Sequence, residues 1–139
     1  MQLFRGHRRT SAPCTTLNSG YLTCNGPGTS GAGCWARLGY EAYQDWAHRC
    51  SWRRGPTYIV VEQSPDLSGT VHERTAPGLN HLAFSAGTRE HVDAMAGESH
   101  SHGWAELFPE KYPHAGGPGH FAAYLVNTDG YEVELIAAD

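Results

Sequence analysis

The chain has 139 residues, 40% of them hydrophobic and 17% charged, with a formal net charge of -4. That is about one domain's worth of chain, enough to bury one core and too little for two full-sized domains. The mildly acidic balance gives no blanket attraction to nucleic acid or acidic membranes, and no apolar run approaches the roughly 20 residues that span a bilayer. With no apolar signal core in MQLFRGHRRT, a cytoplasmic protein is expected.

The stretch TTLNSGYLTCNGPGTSGAGCWA, from Thr15 to Ala36, is rich in Gly, Ser and Thr and has no sustained hydrophobic period. Gly26, Gly28 and Gly31 have the spacing of a dinucleotide-binding fingerprint. That fingerprint needs a strand before it, a helix after it and a parallel βαβ unit, whereas Pro27 lies inside this one and poor helix formers follow. Cys14, Cys24, Cys34 and Cys50 lack any C-x-x-C spacing, so their even count defines neither a disulfide framework nor a zinc site. Cys50 has only His48 near it in sequence and no third partner that would mark a nucleophile.

From Leu38 onward the chain reads as short strands, turns and one helix. LGYEAYQDW (38–46) and PTYIVVEQ (56–63) are rich in aromatic and β-branched residues, and Arg53, Arg54 and Gly55 supply a turn, so a hairpin is expected. SPDLSGTVHERTAPG (64–78) is polar and turn-prone and reads as a linker. LNHLAFSAG (79–87) is a strand, after which Thr88 can cap a helix whose inner face carries Val92 and Met95. His100 and His102 read as its solvated end. AELFPEKYPHAGGPG (105–119) is a strand running into a loop loosened by Gly116, Gly117 and Gly119 and flanked by His114 and His120, two candidates for lining a cleft. HFAAYLVN (120–127) and YEVELIA (131–137) form a hairpin that turns at Asp129 and Gly130.

Residues 79–137 thus run strand, helix, strand, strand, strand. The first half repeats the end of that order, with 38–46 in the place of HGWAELFPE and 56–63 in the place of YEVELIA, an internal duplication. On their own, a histidine in a strand and glutamates late in apolar strands read first as structural or solvated groups.

GLNHLAF and AAYLVNTDGYEVELIA resemble the second module of the vicinal oxygen chelate superfamily, whose members include glyoxalase I, extradiol dioxygenases and the bleomycin and fosfomycin resistance proteins. The resemblance covers residues 38–138 and implies an α+β fold of two βαβββ modules forming a curled mixed sheet around a cleft. It further implies metal ligands on the first and last strands of the modules. Position by position these are His81 and Glu134 in module two and Glu62 in module one, with Glu62 or Glu134 as the proton-shuttling carboxylate. An imidazole and two carboxylates suit zinc, nickel, manganese or iron. The activity implied is lyase, isomerase or dioxygenase chemistry on a small substrate with vicinal oxygens, the metal acting as a Lewis acid. The alternative is a metal-free protein of the bleomycin-resistance type that sequesters a small molecule. The expected partner is a small molecule, not nucleic acid or membrane, and the resemblance allows a homodimer.

A fourth ligand should come from a first strand near residues 14–22, and no such pattern is there, so module one is expected to be incomplete. In the neighbouring reading frame the genetic code forces an apolar residue, Leu and Gly immediately before Arg37, which joins RLGYE in frame. At its free positions the code allows a strand with a His pair and an amphipathic helix over the same span. The domain reading is therefore an out-of-frame segment at 1–36 replacing the first strand and helix, the remainder of module one at 37–63, a linker at 64–78 and module two at 79–139, arising from a frameshift or a sequencing error.

Overall fold

The structure, a computed structural model, describes residues 14–18 and 30–138. Its first half contains β1 (Cys14–Asn18), α1 (Ser30–Arg37), β2 (Glu41–Trp46), β3 (Arg49–Arg54) and β4 (Thr57–Glu62). The second contains β5 (His81–Ser85), α2 (Arg89–Glu98), β6 (Trp104–Leu107), β7 (Ala122–Asn127) and β8 (Glu132–Ile136), with two short 3₁₀ turns flanking β6. The sheet orders are β1-β4-β3-β2 and β5-β8-β7-β6. In both, the first strand runs parallel to the last and the other neighbours are antiparallel. The βαβββ order inferred for the second half is therefore present twice.

Two expectations change. The hairpin expected over 38–63 is a three-stranded meander, because β3, read as connection, buries Cys50, Ser51 and Trp52 between arginines at its ends. The first strand and helix, expected to be missing, are present as backbone elements. Main-chain ladder bonds require no particular side chain, so a strand forms where the sequence has no strand pattern. What module one lacks is better put by register. Glu134 pairs with Ala83, two residues after His81, and Glu62 pairs with Asn18, two residues after Thr16. Thr16 therefore holds the place in module one that His81 holds in module two.

The modules share one core. Trp35, Trp52, Ile59 and Val61 from the first half cluster with Val92, Leu125, Val133 and Leu135 from the second. Each fully buried aliphatic side chain there contributes about 2 kcal/mol through removal from water. Trp35 links the halves, its ring packing on Tyr40 at 6.4 Å and on Phe84 at 5.2 Å between centroids. His91 Nε2 meets the Arg37 carbonyl at 3.1 Å, and Thr88 caps α2 as expected, accepting from the His91 amide.

The linker lies across the β7–β8 turn. The His72 amide donates to the Asp129 carbonyl at 2.6 Å, and the His72 ring stacks on Tyr131 at 4.6 Å with planes 2° apart. Gly130, at φ +85°, lies directly under the His72 carbonyl, where a Cβ would collide with that oxygen. Among the described residues no helix is long and apolar enough to cross a membrane.

Candidate functional site

Alternation along β8 sends Val133 and Leu135 into the core and carries Glu132 and Glu134 on the opposite face. Both glutamates are nonetheless buried, at 4% and 7% exposure, so each needs partners. Glu132 has Arg74 of the linker 2.8 Å from its Oε2, close enough for an ion pair although outside hydrogen-bond alignment.

Glu134 is the centre of a polar cluster. Its Oε1 accepts from the Tyr124 hydroxyl at 2.6 Å and from His120 Nε2 at 2.5 Å, and its Oε2 lies 3.2 Å from His81 Nε2. Tyr124 stands there by register, since β7 and β8 pair Tyr124 with Glu134. Its ring meets those of His81 and Phe108 edge-on. Burial alone would raise the Glu134 pKa, but the hydrogen bonds from Tyr124 and His120 and the charge of the two imidazoles outweigh it and hold the carboxyl below its ordinary range. Glu134 is thereby suited to binding a cation and poorly suited to accepting a proton.

The state of His81 follows from its neighbours. Asn80 Nδ2 donates to the Arg74 carbonyl at 2.9 Å, which fixes the amide so that Asn80 Oδ1 faces His81. His81 Nδ1 then donates to that oxygen at 2.8 Å. In a neutral imidazole this leaves a lone pair on Nε2, pointing at a carboxylate oxygen 3.2 Å away. Two lone pairs facing each other repel, so the arrangement calls for a positive centre at this spot, either a proton on Nε2 or a metal ion. The separation suits a hydrogen bond from a protonated Nε2 and equally two donors sharing one ion through bonds of about 2.0–2.2 Å.

His81 and Glu134, expected as ligands, are thus brought together. Glu62, expected with them, is the half-buried last residue of β4, opposite Arg49, whose guanidinium lies over Trp46 at 5.3 Å. Among the described residues no set of three or more His, Cys, Asp or Glu is gathered to hold a metal ion. Of the three expected residues, His81 and Glu134 are thus in contact, and Glu62 does not join them. Sequence reasoning set His120 beside a cleft without its partner and missed Tyr124 as a hydrogen-bond donor; the pairing of Tyr124 with the last-strand glutamate across an antiparallel hairpin was the available signal. Of the cysteines whose side chains are described, Cys50 is disulfide-bonded, and burial pushes the Cys34 thiol up to about 12.

No protein-family model matches the chain. It is 39% identical over 102 residues to the uncharacterized protein YqjT of Bacillus subtilis, a match covering 72% of this chain and 79% of that one. A solved structure of a candidate glyoxalase from Bacillus halodurans is 32% identical and superposes over 94% of this chain and 97% of its own, with a TM-score of 0.81. A glyoxalase/bleomycin resistance protein from Albidiferax ferrireducens shares the fold at 15% identity, covering 91% of this chain and 98% of its own, with a TM-score of 0.70. So does the fosfomycin resistance protein FosX of Listeria monocytogenes in complex with Mn(II) and a dihydroxypropylphosphonic acid, at 16% identity, 99% and 93% coverage and a TM-score of 0.57.

Proposed function

The chain belongs to the vicinal oxygen chelate superfamily, the glyoxalase, bleomycin-resistance and dioxygenase group, and from that premise we propose a glyoxalase-like protein that binds a divalent metal through His81 and Glu134 and acts on a small substrate with vicinal oxygens. The observation that carries this reading is geometric: His81 Nδ1 is engaged by Asn80 Oδ1 at 2.8 Å, which leaves Nε2 to face a Glu134 oxygen at 3.2 Å. A bound divalent metal supplies Lewis-acid polarisation of the substrate's oxygens. The chain's own residues do the rest. Asn80 orients the imidazole, and Tyr124 and His120 hydrogen-bond Glu134 and favour its ionised form. Zinc, nickel, manganese and iron all suit one imidazole and one carboxylate.

Metal analysis of the purified chain tests this. We expect stoichiometric metal that is lost on His81→Ala and on Glu134→Gln, with the fold intact by circular dichroism; metal content unchanged in both variants would end the proposal. A second reading, metal-free sequestering of a small molecule, draws on the absence of a third gathered donor among the described residues. Tight ligand binding by metal-stripped protein would favour it.

We also infer that residues 1–36 are read out of frame. In favour stands Thr16 at the register place of a ligand. Resequencing decides the matter: with no single-base change near the codons for Ala36 and Arg37 that joins the frames, the inference fails.

A further inference from the structure

The two oxygens of Glu134 are treated differently. Oε1 is taken by two donors, the Tyr124 hydroxyl at 2.6 Å and His120 Nε2 at 2.5 Å, whereas among the described residues Oε2 faces only His81 Nε2 at 3.2 Å. His120 is delivered by the Gly-rich loop that precedes β7, where its amide donates to the Gly117 carbonyl and its carbonyl faces His114 Nδ1 at 3.1 Å. Gly116 makes the delivery possible. A Cβ on it would lie 2.5 Å from His120 Cδ2 and 2.7 Å from the Tyr124 hydroxyl, so any side chain there displaces both donors at once. Phe108, in a left-handed conformation at φ 57°, packs edge-on with the Tyr124 ring.

We propose that Tyr124 and His120, seated on Gly116, are positioning residues that pin Glu134 Oε1 and so present the carboxylate to a divalent cation through Oε2 alone, beside His81. The inference rests on the metal-binding reading above and goes beyond it by assigning a function to three residues that touch neither the ion nor a substrate in that reading. The physical reason is orientation: a carboxylate with both oxygens free rotates about its last side-chain bond and can take an ion with either oxygen or both. One whose Oε1 is doubly hydrogen-bonded is held to a single donor direction. The order lost on binding is then already in place.

The test is Mn(II) titration of the full chain, followed by electron paramagnetic resonance of the free ion, with His81→Ala as the control for binding elsewhere. Tyr124→Phe and His120→Phe each keep a ring and remove a donor. We expect each to weaken Mn(II) about 10- to 100-fold, the usual cost of losing an outer-shell partner. Gly116→Ala should match their combined loss although it removes no donor. His120→Gln, which keeps an N–H, should recover most of the affinity. Thermal melting within a few degrees of the parent shows that the variants fold. Parent protein that binds Mn(II), with Tyr124→Phe and His120→Phe binding equally well, overturns the positioning inference alone. Parent protein whose Mn(II) binding is absent or unaffected by His81→Ala overturns the metal reading and this inference with it.

Discussion

At the scale of single residues, Tyr124 shows how an ordinary side chain acquires a defined state. Burial, its hydrogen bond to Glu134 and the charge of that carboxylate push its pKa from 10.0 up to about 12. Between those values the folded chain holds a proton that the unfolded chain has released, so stability falls as pH rises from about 10 toward 12. Tyr124→Phe should flatten part of that alkaline decline in thermal melts taken between pH 9 and 11; a variant as steep as the parent would show that the phenol titrates like one in water. His81 and Glu134 were legible in the sequence because strand alternation and a family pattern both mark them. The donors to Glu134 were not, because their role depends on what stands opposite across the hairpin and on how a glycine loop curls, neither of which is a property of local sequence.

Among elements, the turns were read more readily than the strands beside them. Asp129 and Gly130 were placed correctly, since a tight turn demands particular residue types, whereas β3 was missed because its arginines mask three buried positions. The structure adds a distinction between glycines. Gly55, at φ +57°, has open space around it, and replacing it with Ala should cost only the backbone strain of about 1–2 kcal/mol. Gly130 carries the same kind of strain and also supports the linker's His72 carbonyl, so Gly130→Ala should cost distinctly more. Urea unfolding of the two variants compares them, and equal losses would mean the linker does not depend on the turn. Thr88→Ala, removing the cap of α2, should cost about 1 kcal/mol in the same assay.

In the molecule as a whole, the halves stand or fall together, because Trp35 of the first is packed on Phe84 of the second. Trp35→Ala should cost about 3–5 kcal/mol, and near- and far-ultraviolet circular dichroism should still report one transition. Separate transitions for the two halves would contradict a shared core. A chain with its frame restored over 1–36 should melt higher and be recovered in greater soluble yield; equal behaviour would count against the frameshift. The duplicated order was legible because both halves end on an apolar strand with a late glutamate. The first strand was not, because its pattern is absent from the sequence as it stands. The matched ladders, Asn18 with Glu62 and Ala83 with Glu134, make each half a ruler for the other. A tandem-repeat protein of this sort carries its own repair template: a donor missing from one copy is a vacancy whose address can be counted off along the intact copy, here one codon at position 16. Thr16→His should therefore tighten Mn(II) binding in the same titration, and Leu17→His, one register position along, should not.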